Sequence, residues 1–229
     1  MQLLTPDAAL PEVARAPAPW TLRGDGWVLL LRLPEAVRSD CRQWPPELRG
    51  RPLAGPSILM FVDYAESPAG PYRELLYIPG RFRTADGVPA WSVTRIFVST
   101  WDSVVNGRLN WGIPKDLAQF ARTPTARGER IDVTAGERRI ASLALEARGP
   151  VLPVHAALLP RGLRRLVQYH GKQRFEFTPG ARGRASLARV GSIAADPELL
   201  AELSGARVSL ALRIPEFRLQ FPVAASRPR

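Results

Sequence analysis

Short apolar runs, several with the two-residue alternation of β-strands, are the feature that most constrains the fold of this chain. The clearest runs are GWVLLLRL, SILMFVDY, PYRELLYIP and the final RVSLALRIPEFRLQF, and two more flank the turn TAGE. Glycine, proline and aspartate separate them, as is typical of turns between strands. Many short strands with few helices indicate a β-sandwich or a β-barrel.

Helical signals are few and short. Glu35 opens a short helix that is predicted to run to about Gln43, where two prolines follow. Asp102 is the predicted N-cap of a helical turn that Gly107 helps to terminate. Asp196 begins a third helix, with a proline in its first turn. The predicted fold class is therefore mainly β (α+β), with a few short helices.

The N-terminal region differs from the rest in composition. Residues 1–25 contain four prolines, which disfavour a regular element and predict an arm laid along the body or along a partner subunit. Because β-barrels of this length commonly form one unit, we interpret residues 1–229 as a single domain.

The formal net charge of +11 is local rather than uniform. Residues 121–190 carry 14 of the 32 basic side chains and 5 of the 21 acidic ones, a net of +9, and the remainder nets +2. Such a region attracts phosphate, acidic substrates or an acidic partner. Nucleic-acid binding is the less favoured interpretation, since the arginines are scattered and few aromatic side chains accompany them.

Several function classes lack their signatures. No long apolar run predicts a membrane span, and MQLLTPDAALPEV has no signal-peptide pattern. A single cysteine, Cys41, cannot form an internal disulfide, and these points together fit a cytoplasmic protein. With His155 and His170 as the only histidines, no metal-ligand spacing is present, and no phosphate-binding glycine loop occurs. We therefore expect neither a metal nor a cofactor.

Lysine usage singles out one position. Of the 32 basic residues 30 are arginines, and the two lysines are Lys115 and Lys172. Lys115 lies in an apolar segment with Trp111, Ile113 and Leu117. A primary amine held among apolar groups is driven toward its neutral, nucleophilic form, which arginine cannot provide. The alternative is a surface lysine without a chemical role.

A carboxylate is the second candidate group. In PYRELLYIP the alternation places Tyr72, Glu74 and Leu76 on one face, and both faces are partly apolar. Glu74 should then be poorly solvated and needs a partner or a proton. It is either catalytic or one half of a structural salt bridge. Asp116 should point to the opposite face from Lys115, so the two neighbours should not pair.

Together, the segments GPYRELLYIPG and NGRLNWGIPKDLAQF resemble the acetoacetate decarboxylase-like family, which has a G-x-Y-x-E segment followed by G-R-x-x-x-G-x-P-K. The resemblance implies an antiparallel β-barrel-like domain that forms homo-oligomers. It also implies that Lys115 is the lysine that forms a Schiff base with a ketone and that Glu74 is the carboxylate beside it. We expect Tyr72, Arg108 and Trp111, from the same two segments, to bind the substrate.

Three departures from the family pattern bear on the substrate. True decarboxylases have a second lysine directly after the first, and Asp116 stands at that position here. They have an arginine near the start of the first strand, whose counterpart is Asp25, with Arg23 nearby. A second glutamate, in the strand before the tyrosine segment, is replaced by Leu59. These changes disfavour acetoacetate itself and leave the amine chemistry intact.

The predicted function is a Schiff-base-forming carbon–carbon lyase that decarboxylates a small keto acid. The alternatives are a Schiff-base aldolase or dehydratase, which use the same iminium, and a barrel that binds a small ligand without catalysis.

Overall fold

The structure is a computed structural model that describes residues 3–40, 44–49, 51–200, 203 and 205–228. Strands dominate it, as the sequence predicts. They are β1 (Trp20–Arg32), β2 (Ser57–Glu66), β3 (Tyr72–Ile78), β4 (Arg81–Arg83), β5 (Pro89–Trp91), β6 (Arg95–Val98), β7 (Lys115–Leu117), β8 (Gln119–Thr125), β9 (Gly128–Ala135), β10 (Arg138–His155), β11 (Leu166–His170), β12 (Gln173–Phe177), β13 (Gly180–Ala195), β14 (Arg207–Phe221) and β15 (Ala225–Pro228).

The helices are α1 (Glu35–Asp40) and α2 (Trp101–Trp111), with short 3-10 turns at Pro46–Leu48, Ala156–Leu158 and Arg161–Leu163. Residues 41–43 of the first predicted helix lie outside the described residues. The helix predicted from Asp196 is a turn at 197–200, and 201, 202 and 204 are likewise outside the described residues. Within the described ranges, no helix has the length and apolarity that crossing a bilayer requires.

Ten strands form one sheet in the order β7-β6-β3-β2-β1-β14-β13-β10-β9-β8, with all neighbours antiparallel except β6 and β7. The two edge strands are consecutive in the chain and are separated only by Ala118. The sheet must therefore curl until its edges approach each other, and Arg73 of β3 donates to the carbonyl of Phe120 in β8 at 3.1 Å. The result is a nearly closed barrel-shaped sheet, which confirms the β-barrel alternative.

Side chains of successive residues point to opposite faces of this sheet, and each face has its own core. On β2, Leu59 and Phe61 belong to what we call the first core, together with Trp27 and Leu75. The opposite face carries the second core, which packs against α2 and the five-stranded sheet β15-β12-β11-β5-β4. The second core contains two groups of contacting aromatic rings: Trp20, Trp111, Phe177 and Phe221 form one, and Tyr64, Tyr72 and Phe217 form the other.

The N-terminal arm is shorter than predicted. β1 already begins at Trp20, so residues 20–25 are part of the sheet and the arm ends at Pro19. The error comes from Gly24-Asp25-Gly26, which has the composition of a turn and is in fact a break in the β1–β14 register. The arm lies along the body of its own chain, where Asn106 of α2 accepts from the amide of Ala16 at 2.9 Å.

Asp196 organises the turn that follows β13. Its Oδ1 accepts from the amides of Glu198 at 2.8 Å and Leu199 at 3.2 Å, and Nη2 of Arg138 donates to the same oxygen at 2.7 Å. These contacts, chiefly the hydrogen bonds from Arg138, lower the pKa of Asp196 to about 2. The charge of Asp196 therefore stabilises the folded state.

We expect Asp196→Asn to lower the melting temperature, because asparagine keeps the oxygen that accepts from the backbone and loses the charge. Since the folded pKa is depressed below the usual 3.8, this stabilisation is fully present above about pH 4 and is lost as the pH falls toward 2. Melting temperatures of wild type and variant, measured against pH, should differ most near neutrality and converge in acid. A difference independent of pH would contradict the assignment, and Glu198→Gln, at an exposed side chain, serves as the control.

Candidate active site

Helix α2 and the turn after it position Lys115. The side chain of Thr100 accepts from the amide of Ser103, so Thr100 is the N-cap in place of the predicted Asp102. The helix ends at Gly112, which has the left-handed φ of 64° and whose amide donates to the carbonyl of Arg108 at 2.9 Å. The chain then reverses, and Lys115 pairs with Ile96 in the parallel β6–β7 ladder.

The sequence analysis predicted that Gly107 helps to terminate this helix. That prediction is wrong, because Gly107 lies inside α2, which continues to Trp111. A Cβ built on Gly107 would be 2.7 Å from both Cδ and Cε of Lys115. Glycine in a helix interior is less stable than alanine by about 1 kcal/mol. Its presence here is explained by the lysine side chain, which lies directly over the helix backbone.

The amine of Lys115 has three polar neighbours. Nζ is 2.9 Å from Oε2 of Glu74, 2.9 Å from Oγ of Ser103 and 3.4 Å from the hydroxyl of Tyr72. The side chains of both Lys115 and Glu74 are only 5% exposed. The structure therefore brings the two predicted site residues together as a buried ion pair.

Two tyrosines complete the polar part of the site. The hydroxyl of Tyr64 donates to Oε1 of Glu74 at 3.2 Å, and the rings of Tyr64 and Tyr72 are 4.6 Å apart. Burial, followed by the negative charge of Glu74, holds the pKa of both phenols well above their usual value of 10. Both hydroxyls therefore stay protonated at neutral pH and can donate hydrogen bonds.

Lys115 and Glu74 line a cavity of about 210 Å³ in the second core, which we call the lysine cavity. Its walls are otherwise apolar or aromatic: Trp20, Leu22, Met60, Tyr64, Tyr72, Leu76, Ile78, Val93, Ile96, Trp111, Ile113, Leu166, Phe177, Pro179, Leu219 and Phe221. Within the described part of the chain, no arginine lines it. The indole N–H groups are also engaged, since Trp20 donates to the carbonyl of Ala16 and Trp111 to that of Pro222, each at 2.8 Å.

Arg108, a predicted substrate-binding residue, faces away from the lysine cavity. Its guanidinium donates to the carbonyls of Lys115 at 2.9 Å and of Thr5 at 3.0 Å, and it lies 3.7 Å from Asp116. Asp116 in turn accepts from the amide of Leu4 at 2.7 Å. Arg108 therefore ties the N-terminal arm to β7. Tyr72 and Trp111, the other two predicted substrate-binding residues, do line the lysine cavity.

The chain is similar to known proteins in its structure. No protein-family model matches the sequence, and no curated protein matches it. The structure of acetoacetate decarboxylase from Legionella pneumophila is similar over 96% of this chain and 92% of that chain, with a TM-score of 0.67 and 16% identity. The acetoacetate decarboxylase-like enzyme from Sphingomonas wittichii RW1 is similar over 99% of both chains, with a TM-score of 0.65 and 13% identity. The chain has the acetoacetate decarboxylase fold.

A further structure with the acetoacetate decarboxylase fold is the enduracididine biosynthesis enzyme MppR, complexed with the condensation product of pyruvate and imidazole 4-carboxaldehyde. It is similar over 92% of this chain and 89% of that chain, with a TM-score of 0.61 and 12% identity. At these identities the similarity is one of fold. It confirms the fold that the two sequence segments predict.

Two positions that the resemblance matched to family residues lie away from the lysine cavity. Leu59 is buried in the first core, and the side chains of β2 that line the lysine cavity are Met60 and Tyr64. Asp25 accepts from Nη2 of Arg122 at 2.7 Å in a separate group of ion pairs. In this version of the acetoacetate decarboxylase fold, the first two strands therefore present apolar and aromatic side chains to the cavity.

The sequence analysis did not identify Ser103 or Tyr64 as site residues, and it gave Gly107 a different role. Ser103 and Gly107 are four residues apart and lie on one face of α2, so helical spacing from Gly107 could have identified Ser103. Tyr64 pairs with Tyr72 across the β2–β3 hairpin, a register that the position of the turn ESPAG could have predicted.

We expect Gly107→Ala to displace the ammonium group of Lys115 from Glu74. The methyl group would overlap with Cδ and Cε of the lysine, and overpacking of this kind destabilises by about 1–3 kcal/mol. Urea denaturation should show the loss, although alanine normally stabilises a helix interior. Gly162→Ala is the matched control, because a Cβ there meets no atom within 4 Å. Equal stability of the two variants would contradict the proposed contact.

Proposed function

We propose that the protein is a Schiff-base-forming carbon–carbon lyase in which Lys115 attacks the carbonyl carbon of a small substrate. The observation that carries the proposal is the buried amine of Lys115, 2.9 Å from both Glu74 and Ser103 at the wall of an otherwise apolar cavity. An amine so placed has a proton acceptor beside it and little water to compete for the carbonyl.

The first step requires a neutral amine. Glu74 accepts a proton from the Lys115 ammonium across their hydrogen bond, which leaves the nitrogen lone pair free. The lone pair forms a C–N bond with the carbonyl carbon, and the electrons of the C=O π bond move to oxygen, which takes up the proton that the nitrogen loses. The hydroxyl of this carbinolamine then takes the proton held by Glu74 and leaves as water, so that an iminium forms and Glu74 is again a carboxylate.

The hydroxyl groups of Tyr72, Tyr64 and Ser103 can each assist formation of the iminium in a different way. Tyr72 lies 3.4 Å from Nζ and is protonated, so it can donate to the oxygen of the carbinolamine as water leaves. Tyr64 donates to Oε1 of Glu74 and orients the carboxylate, leaving Oε2 for the amine. Ser103 holds Nζ from the helix side.

The iminium withdraws electrons from the adjacent carbon, and its next step defines the reaction. In aldol chemistry a base, for which Glu74 is placed, removes the α-proton to give an enamine that attacks an aldehyde; the reverse order cleaves the same bond. We favour this class, because no arginine lines the lysine cavity within the described residues to hold a carboxylate beside the carbonyl. MppR, which is similar in fold, was solved with a condensation product, and this supports a condensation here. Pyruvate itself, whose carboxylate is bonded to the carbonyl carbon, is disfavoured by the same lack of an arginine among the described residues of the cavity wall.

Decarboxylation of a keto acid is the second candidate. In that reaction the C–C bond to the carboxylate breaks, carbon dioxide leaves, and the remaining enamine is protonated and hydrolysed. The apolar walls of the lysine cavity favour it, since loss of a charged carboxylate is easier in a poorly solvated site. Release of carbon dioxide from keto acids, compared with aldehyde release from hydroxy ketones, separates the two candidates.

The assembly state and the cellular location remain predictions. Exposed apolar side chains on the long strands, such as Leu152 and Leu187, favour the predicted homo-oligomer. A cytoplasmic location remains the expectation from the sequence.

We expect borohydride to trap an adduct on Lys115 when the protein is incubated with small ketones and aldehydes. Intact mass and peptide mapping should place the added mass on the peptide that contains Lys115 and show none in Lys115→Ala. Lys172→Ala, which removes the chain's other lysine at an exposed position, is the matched control and should keep the adduct.

The same experiment separates the enzyme from a simple binding protein. If the carbonyl compounds raise the melting temperature and none of them leaves a reducible adduct, the protein is a ligand-binding barrel and Lys115 is a counter-ion. That result would overturn the proposal.

We expect Glu74→Gln to slow formation of the trapped adduct by about 10²–10⁴-fold, the usual contribution of a positioned acid–base group. The glutamine has a similar shape and cannot take the proton from the ammonium. Time courses of borohydride trapping measure the rate, and Tyr64→Phe, which removes the hydrogen bond to Oε1 and keeps the carboxylate, should have a smaller effect. Equal rates for wild type and Glu74→Gln would remove Glu74 from the mechanism.

A further inference from the structure

A second cavity, of about 480 Å³, lies beside the lysine cavity, and we call it the apolar vestibule. Four side chains on one face of β2 line it, and each has a residue of β3 that lines the lysine cavity as its cross-strand partner. The pairs are Ile58 with Ile78, Met60 with Leu76, Val62 with Glu74, and Tyr64 with Tyr72. Neighbouring strands are about 4.8 Å apart, so the two cavities lie side by side on one face of the sheet.

Small residues leave the space of the vestibule open. Gly26 of β1 and Ala181 and Gly183 of β13 line it, where larger side chains would fill it. Pockets for drug-sized ligands measure about 300–1,000 Å³. The vestibule falls within this range, whereas the lysine cavity, at about 210 Å³, is smaller. The vestibule therefore offers room for a part of a ligand that the lysine cavity cannot hold.

The interior of the vestibule is uncharged. His155 and Arg182 belong to its wall, but strand register turns their side chains away. Arg182 lies between Ala181 and Gly183, which pair with second-core residues of β14, so its side chain points to the opposite face of the sheet. His155 pairs with Arg182 and shares that face. Among the described residues that line the vestibule, none directs a charged side chain into it.

The outer edge of the vestibule is apolar as well. Val154 at the end of β10 and Leu159 after the turn Ala156–Leu158 both line it, and they are 43% and 51% exposed. Side chains that line a cavity and are also exposed mark the place where it meets the solvent. An entering molecule therefore passes an apolar edge before it reaches the apolar interior.

The wall between the two cavities has a fixed part and an adaptable part. Met60, Tyr64 and Leu219 line both cavities. Tyr64 is held by its hydrogen bond to Glu74. Met60 is one of only two methionines in the chain, and the other is Met1. Methionine is unbranched and has three rotatable side-chain bonds, so it adapts its shape to irregular space.

We propose that the substrate of Lys115 is an aldehyde or ketone that carries an extended, uncharged apolar chain. The carbonyl carbon lies at Lys115, and the chain passes Met60, whose side chain turns aside, and fills the vestibule. This inference rests on the proposed function, because it needs the amine of Lys115 to react with the carbonyl. The chain binds and orients the substrate and takes no part in bond making or breaking.

The charges around the two cavities favour an uncharged chain. A carboxylate in the vestibule would lose its hydration without gaining a cationic partner. In the lysine cavity the ammonium group of Lys115 is already paired with Glu74, so a carboxylate there would face a second negative charge. An apolar chain loses no hydrogen bonds when it is buried, and its burial is favourable in proportion to its area.

The test uses straight-chain methyl ketones of increasing length, beginning with acetone. Each ketone is titrated against the wild-type protein with borohydride, and intact mass gives the concentration at which the adduct on Lys115 is half-maximal. We expect each added methylene to lower that concentration about fourfold until the vestibule is filled. An oxo acid of the same length as a long ketone should need a concentration at least about tenfold higher, because its carboxylate would be buried without a partner.

Variants assign the dependence on chain length to the vestibule. Ala181→Phe fills it from β13, and Leu159→Asp places a charge at its outer edge; both residues line the vestibule and not the lysine cavity. In both variants the fourfold gain per methylene should disappear. Ala225→Phe, at an exposed position of β15 outside both cavities, is the control and should keep the gain. Met60→Ile replaces an adaptable side chain by a stiff one and should weaken long ketones more than acetone.

The outcomes separate the two proposals. If acetone is trapped on Lys115 and longer ketones show no gain, the apolar-chain substrate is wrong and the Schiff-base function stands. The same conclusion follows if the gain persists in both Ala181→Phe and Leu159→Asp. If no carbonyl compound of any length is trapped, the Schiff-base function fails and this inference fails with it.

Discussion

The buried ion pair between Lys115 and Glu74 is the interaction on which the rest of the site depends. Removing two charges from water is costly, and the attraction between them offsets that cost only when their other hydrogen bonds are also satisfied. Here Ser103 holds the amine from α2 and Tyr64 holds the carboxylate from β2, so four elements meet at one pair of charges. The ion pair therefore fixes how α2 and the edge strand β7 sit against β2 and β3.

The surroundings of this pair are built to hold it in place. Gly112 reverses the chain after α2, and Gly107 removes the side chain that would collide with the lysine. Arg108 uses its guanidinium to bind backbone carbonyls of β7 and of the N-terminal arm. Arg108 thus supports the backbone around Lys115 and does not line the cavity, in which Lys115 and Glu74 are the charged side chains among the described residues.

The strands could be predicted because alternation is a local property, and Lys115 could be singled out because a chain so rich in arginine uses lysine only twice. What the sequence did not reveal depends on contacts between distant segments. Gly24 and Gly26 have turn composition and sit in a register break inside β1. Arg108 was expected to face a substrate, but whether a side chain points into a cavity or toward backbone carbonyls is decided by packing that no local pattern records.

The shortness of the edge strand β7 has a consequence for the accuracy of folding. A strand of three residues has few backbone hydrogen bonds to define its register, and a slip by one residue exchanges its two faces. In the slipped register Asp116 would meet Glu74 in an apolar cavity, and Lys115 would meet Arg108. Each of these contacts would bring two like charges together in poorly solvated surroundings. The alternation of a positive and a negative residue along β7 therefore destabilises the incorrect register.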